Sequence, residues 1–263
     1  MRIESDLALV LTASIDINAM PGVTRADPQQ REDDYILTLA HYLSHEPRIC
    51  KIIFLENSGW PLARLQYVEQ QMPHHKQVEF VSLRCNDYPR HLGKGYGEML
   101  MLEQGLAQSE LAKTVTHFAK LTGRLRLANM MRILTAWRAR RKHYDMLCDL
   151  RDHRLYQLLG MRGTAQRCDS RFFVIGRDFY NANLLGAYER CNDDVGIYME
   201  NVLYDVVKRA IAAPDYRMLR RFVTEPRYIG IPAHNATAYD SFAAKRKWCV
   251  RWLARKTMPW VCW

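Results

Sequence analysis

The chain has 263 residues, 48% of them hydrophobic and 25% charged, with 38 Lys and Arg against 28 Asp and Glu, a net charge of +10. That composition belongs to a globular protein able to bury a core, and the basic balance favours an anionic partner: a nucleotide, a nucleic acid or an acidic membrane surface. Seven dispersed cysteines without a Cys-x-x-Cys pair argue for a reducing compartment and against a disulfide scaffold or zinc ribbon, and no apolar run reaches the ~20 residues that span a bilayer.

Residues 7–15 form an apolar run of strand length. Glu4 and Asp6 precede it in place of a basic segment, so it reads as a buried strand and not as a signal peptide. Asp33 and Asp34 then introduce a helix over 35–43, with apolar residues at 35, 36, 39, 40 and 43, closed by Pro47. Residues 51–55 are a second strand ending in the turn Glu56-Asn57-Ser58-Gly59. Pro61 opens a helix that runs to Gln71, and 78–83 is a third strand. This alternation predicts a parallel α/β sheet, in which ligands lie beyond the carboxyl ends of the strands. That rim carries residues 12–16, 56–58 and 84–87.

Residues 91–124 hold the densest chemistry. Gly93-Lys94-Gly95-Tyr96-Gly97-Glu98 reads as a glycine-rich turn, followed by a helix over 98–109 and a strand over 115–121 that ends in Thr122-Gly123-Arg124. Alternating glycines let the backbone approach a ligand closely, and the N–H groups opening the next helix favour an anion. Lys94 adds a positive charge, and Arg124 a guanidinium suited to bidentate phosphate contact. The same residues also suit a plain tight turn and helix cap; neither the P-loop nor the dinucleotide glycine pattern is present.

Beyond Arg124 the pattern predicts a basic helix over 127–143, whose Arg138, Arg140, Arg141 and Lys142 form a solvated face. Strands follow over 144–150, with Asp149, Arg151 and Asp152 at its end, and over 168–175, opening on Asp169 and Arg171. Helices are expected over 178–188 and 201–212, the second with Glu200 at its start; 218–231 is mixed and basic. His74-His75 has no third ligand nearby, Ser58 and Ser170 lack a His/Asp partner pattern, and no cysteine has an evident activating neighbour.

The ordered set Glu56-Asn57-Ser58, Gly93 to Glu98, Lys120-Leu121-Thr122-Gly123-Arg124, Asp169-Ser170-Arg171-Phe172-Phe173, Glu200 and the late run 230–239 resembles bacterial sugar transferases of surface-polysaccharide (capsule and lipopolysaccharide) clusters. The resemblance covers most of residues 7–240. It implies an α/β fold of the GT-A-like, Rossmann-related kind, a mostly parallel sheet flanked by helices in one catalytic domain over 1–243; the residues themselves add a basic, helical, Trp-rich tail over 244–263. It implies a glycosyltransferase that moves a sugar from a nucleotide-sugar donor to a lipid-linked or polysaccharide acceptor, in the cytoplasm at the inner face of the cell membrane. It points to Asn57, Lys94, Gly95, Glu98, Lys120, Arg124 and Arg171 for donor and phosphate binding, and to Glu200, then Asp169, as the base that takes the acceptor proton. Glu200 equally fits a helix N-terminal carboxylate, and Asp169–Arg171 a structural ion pair.

The chain departs from such transferases in having no Asp-x-Asp, the motif that holds a divalent metal against the donor diphosphate. Either a looser set such as Asp149 and Asp152 holds metal, or Lys94, Arg124 and Arg171 neutralise the diphosphate directly; the second version is preferred, and no cofactor is assigned. Two rival readings are weighed. A nucleic-acid-binding protein would need a recognisable module, and none is found. A sugar nucleotidyltransferase would want a phosphate loop after the first strand, which residues 12–25 do not show. In the tail, Trp248 and Trp252 share one helix face and Lys247, Arg251 and Arg255 the neighbouring one, which suits an anionic membrane interface. The alternative is that the tryptophans pack on the core.

Overall fold

The structure is a computed structural model that describes residues 6–139, 144–152, 158, 166–231, 238–239 and 241–257. Its centre is a seven-stranded sheet. In chain order the strands are β1 (Leu7–Ala13), β2 (Lys51–Glu56), β3 (Gln77–Ser82), β4 (His117–Thr122), β5 (Met146–Leu147), β6 (Phe172–Gly176) and β7 (Met218–Leu219). They lie in the order β7-β5-β6-β4-β1-β2-β3. β1 pairs in parallel with β2 and β4, and β2 with β3, whereas β6 runs antiparallel to both β4 and β5. The expected mostly parallel α/β architecture is therefore present. Register sets Ala13 opposite Glu56 and Thr12 opposite Thr122, which brings the carboxyl ends of β1, β2 and β4 level.

All seven residues of β1 are buried, as a central parallel strand covered on both faces requires. Leu7, Leu9 and Leu11 pack under helices α1 (Pro28–His45) and α4 (Met130–Ala139), against Tyr35, Leu39, Ile133 and Trp137. Ala8 and Val10 face the other layer, α3 (Gly93–Gln108) and α6 (Met199–Ala212), with Met101, Leu102, Val202 and Val206. Burying each large apolar side chain contributes roughly 1.5–3 kcal/mol. The two-residue side-chain period of the strands thus supplies both cores. Helices α2 (Ala63–Gln71) and α5 (Arg177–Asn183) complete the body.

Several boundaries differ from the sequence reading. Helix α1 begins at Pro28, with the Asp27 side chain accepting from the Gln29 N–H, two turns before the first apolar repeat; Asp-Pro is the start signal. The glycine run is not a turn. A 3-10 turn, Arg90–Leu92, leads directly into α3 at Gly93. Its glycines serve packing: a Cβ on Gly95 would lie 2.8 Å from the Met199 backbone N, and one on Gly97 2.1 Å from the Tyr88 hydroxyl. Gly95 therefore admits the start of α6, and it does not line the cavity beyond the strand ends.

The expected strand over 144–150 splits. Met146–Leu147 joins the large sheet, while Leu150–Asp152 pairs with Gln166–Cys168 in a separate ribbon. The strand over 168–175 likewise breaks at Asp169–Arg171. The helix over 178–188 is shorter, ending at Asn183 before a 3-10 turn, Ala187–Arg190. Arg138 is not a solvated residue: it pairs with Asp6 and lies over Trp137. Arg140, Arg141 and Lys142 fall outside the described residues.

Helix α7 (Phe242–Thr257) spans the expected start of the tail and docks on the body. Trp248 Nε1 donates to the Glu225 carbonyl at 3.2 Å, and Arg255 pairs with Asp149 at 2.5 Å and with Glu225. Arg251 also reaches Glu225, at 3.8 Å. Of the Lys247/Arg251/Arg255 stripe expected to meet a membrane, Arg251 and Arg255 instead face buried acids of the protein body, Asp149 and Glu225. Trp260 and Trp263 lie outside the described residues. Among the described residues no helix is long and apolar enough to cross a membrane.

Candidate functional site

A cavity of about 170 Å³ opens beyond the carboxyl ends of β1, β2 and β4. Thr12, Ala13 and Ser14 line it from β1 and its loop, Asn57 from the turn after β2, and Thr122 and Arg124 from the end of β4. Arg31 and Tyr35 enter from α1, and Lys94, Glu98 and Met101 from α3. Buried Glu56 holds the loops after β1 and β2 together, accepting from the Ile15, Ser58 and Trp60 N–H groups. Lys94 reaches across the mouth and donates to the Gly22 carbonyl at 3.1 Å.

The cations are the distinctive feature. Arg31 is only 4% exposed. It donates to the Ser14 carbonyl at 2.8 Å and to the Arg25 carbonyl at 3.1 Å, and reaches the Tyr35 hydroxyl. Arg124 is 6% exposed; one of its terminal nitrogens makes a long bond of 3.4 Å to the Ile231 carbonyl, and its Nε has no partner among the described residues. No described carboxylate forms an ion pair with either guanidinium. Burial pulls the Arg31 pKa below its usual value, and the nearby Arg124 charge pulls it further. Asn57 Oδ1 is also buried without a partner among the described residues. Buried polar groups are normally satisfied, which makes Arg124 and Asn57 the candidate ligand contacts of the lining.

Glu98 is the one carboxylate among the described lining residues, and it is already engaged. Lys120 Nζ lies 2.6 Å from it, and the Thr12 hydroxyl donates to it at 2.8 Å. Lys120 is buried in β4, also donates to the Ser170 carbonyl at 2.6 Å, and does not line the cavity. It holds Glu98 in place, in contrast to the phosphate contact expected from sequence. The Ser170 hydroxyl in turn donates to Glu200 at 2.7 Å. A continuous polar chain, Thr12–Glu98–Lys120–Ser170–Glu200, therefore links the cavity to the first turn of α6. Glu200 itself does not line the cavity.

Asp169 and Arg171 stand apart from this site. Asp169 is buried and accepts from Arg171 Nε at 2.9 Å, with Arg151 3.7 Å away. Burial would raise its carboxyl, but the Arg171 guanidinium overrides that and holds it well below the usual carboxylate range. Arg171 lies over Tyr228 at 4.2 Å and near Tyr239 at 5.4 Å. Neither residue lines the cavity. A permanently paired carboxylate is a poor proton acceptor, so the geometry favours the structural ion pair over a base and a phosphate ligand. The looser metal set is also occupied: Asp149 bonds Arg255, and Asp152 lies 3.1 Å from Lys208. Among the described residues no group of three side chains is arranged to hold a metal ion.

Four of the expected residues, Asn57, Lys94, Glu98 and Arg124, thus share one cavity, and Gly95, Lys120, Asp169, Arg171 and Glu200 lie outside its lining. The sequence reading missed Arg31, whose signal was its place four residues before Tyr35 on the buried stripe of α1. Asp193, in the 3-10 turn Asp193–Val195, lies against Gly93 at the start of α3 and does not line the cavity. Burial raises that half-buried carboxyl, against the pull of Lys94, and neighbouring Glu200 raises it further.

No family model matches the chain, and no curated protein matches it. Solved structures of similar fold include core-mannan synthase A from Aspergillus fumigatus in its Mn/GDP form, with TM-score 0.47, 8% identity, and 86% of this chain and 75% of that one covered. A mannosyltransferase from S. cerevisiae in complex with GDP gives TM-score 0.44 and 9% identity over 92% of this chain and 75% of that one. The 4-diphosphocytidyl-2C-methyl-D-erythritol synthase from Anaerococcus prevotii DSM 20548 gives TM-score 0.43 and 9% identity over 81% and 87%. At these scores and identities the likenesses assign no activity to this chain, and function has to be argued from the cavity.

Proposed function

We propose that the chain is a nucleotide-sugar-dependent glycosyltransferase of bacterial surface-glycan synthesis, with its donor in this cavity and a lipid-linked or polysaccharide acceptor. The observation that carries this reading is the set of three cations, Arg31, Lys94 and Arg124, around a cavity on the carboxyl rim of a parallel sheet. A diphosphate satisfies them. Asn57 and Glu98 orient hydroxyls or base edges of the donor. In transfer, the acceptor oxygen bonds to the anomeric carbon as its proton passes to a carboxylate. The bond from that carbon to the diphosphate breaks, its electron pair stays on the diphosphate oxygen, and the cations stabilise that charge. Glu200 is the proposed base: it lies outside the donor cavity, in the first turn of α6, where Met199 packs on Gly95 next to the lining residue Lys94, on the side left for the acceptor.

Thermal melting against a panel of nucleotide sugars tests the reading, because a ligand of the native state raises Tm. At least one nucleotide sugar should raise it, and Lys94→Ala should remove most of the shift. A shift with nucleoside triphosphates and sugar phosphates alone would turn the reading to a sugar nucleotidyltransferase. No shift with either panel would reject both.

The outward side of α7 supports placement at the inner face of the membrane. Phe242, Val250 and Leu253 are exposed there, among Lys245, Arg246, Lys247 and Lys256. Each cation near an anionic surface adds about 1 kcal/mol. The protein should sediment with anionic vesicles at low salt, and replacing the three apolar residues by Ser should abolish this. Unchanged sedimentation would remove the membrane from the reading.

A further inference from the structure

We propose that Arg31 and Arg124 together supply the counter-charge that a divalent metal gives in other enzymes of this kind, so that the donor diphosphate binds without metal. The inference rests on the donor reading above. Core-mannan synthase A was solved in a Mn/GDP form, so a metal has to be tested against the residues present here. Hard divalent cations need oxygen ligands, usually carboxylates. The described lining offers one, Glu98, and Lys120 already neutralises it at 2.6 Å. Arg31, Lys94 and Arg124 surround the same space, and a divalent cation would enter against three positive charges. The residues do not fit a metal.

They fit an anion with two phosphoryl groups. The Arg124 guanidinium presents a planar fork of N–H donors that matches phosphate oxygens, and Arg31 adds a second fixed positive charge. Both are nearly buried, so their fields are little screened by water. Arg124 has one long hydrogen bond and a buried Nε with no acceptor, so most of its donors are uncommitted among the described residues. Arg31 is held in place by the fold: Nε and one terminal nitrogen donate to the Ser14 carbonyl and the other terminal nitrogen to the Arg25 carbonyl, so it brings its charge and one remaining N–H to the cavity before any ligand arrives. Two guanidiniums that repel each other in the free protein cease to do so once a diphosphate lies between them. Arg31 takes the place in the site that the sequence reading gave to Arg171.

The test is calorimetric titration of the full chain with UDP, GDP, CDP, dTDP and inorganic pyrophosphate, in excess EDTA and again with manganese or magnesium. At least one nucleoside diphosphate should bind in EDTA, with added metal changing Kd by less than about threefold. Arg31→Met and Arg124→Met should each weaken that binding by roughly 10- to 100-fold, the range for losing a charge-assisted hydrogen-bonding partner. Arg31→Lys keeps the charge without the fork and should fall between; it gives the reading for position 31 if Arg31→Met melts early. Binding seen only with metal would overturn the inference and leave the donor reading standing. Parent-like binding by folded Arg31→Met and Arg124→Met variants would do the same. No binding by any nucleoside diphosphate, with or without metal, would end both.

Discussion

Where helix α7 meets the body, each of three buried carboxylates faces a guanidinium: Asp149 meets Arg255, Glu225 meets Arg255 and Arg251, and Asp169 meets Arg171. In the rim cavity two guanidiniums as deeply buried, Arg31 and Arg124, form no ion pair with any described carboxylate. Burial of a charge costs several kcal/mol unless a partner offsets it. The first region meets that cost from within the fold, so its charges hold the structure together. The second offsets it only with neutral acceptors, carbonyls and a hydroxyl for Arg31 and one long bond for Arg124, which makes sense where an anionic ligand supplies the missing charge. Buried charge therefore reads as architecture or as a site according to whether its partner is already present.

The sharpest way to break this comparison is Arg255→Met. It leaves Asp149 without its cation and Glu225 with only the more distant Arg251. Removing one partner of a buried pair costs about 3–5 kcal/mol, so urea unfolding should show a loss of that size. A loss under about 1 kcal/mol would mean that the paired region is not structural. Next in size is Glu200→Gln, which keeps the hydrogen bond from Ser170 but removes the charge. Turnover should drop roughly 100-fold or more, with the donor-induced melting shift retained. Unchanged turnover would return Glu200 to a helix N-terminal role.

Arg124→Met probes the unpaired side. Because no acid loses a partner, ligand-free stability should stay within about 1 kcal/mol of the parent, with either sign, as for replacing an uncompensated charge by an apolar group. A loss like that of Arg255→Met would show that Arg124 is paired after all. The smallest effect concerns His41, whose ring lies half-buried against His45 and has no partner for Nε2 among the described residues. Burial first, then the His45 and Arg126 charges, push its pKa from 6.5 down to about 4. Between those values the unfolded chain takes up a proton that the native protein does not, so stability falls as pH drops through this window and is fully present above it. His41→Gln should lose less stability than the parent between pH 7 and pH 5, as read from urea midpoints. Equal losses would show that another group sets the slope.

The two regions were unequally legible beforehand. Asn57, Lys94, Glu98 and Arg124 reach the cavity because strand ends and a helix start place them on the rim, and those are local signals. Arg171 resembled them in sequence, a cation at a strand end, yet belongs to the paired region because Asp169 sits two residues away and Tyr228 and Tyr239 enclose it. Lys120 was misread for a similar reason: its position in the buried middle of β4 forces it to pair with Glu98. The basic stripe of α7 looked free because its acids, Asp149 and Glu225, are remote in the chain; the Arg255–Asp149 contact spans 106 positions.

What the amino-acid sequence determined by itself is the alternation of apolar strands and amphipathic helices, hence a mostly parallel sheet with a loaded carboxyl rim. Those features follow from periods of two and 3.6 residues and need only near neighbours in the chain. Which charges are satisfied was decided by tertiary structure alone. Arg31 becomes part of the cavity only when α1 packs across β1 and β4, and the glycines of α3 gain their reason only when Met199 and Tyr88 come to lie against them. Charge balance and close packing depend on what folding brings within a few ångströms, and no local pattern carries that distance.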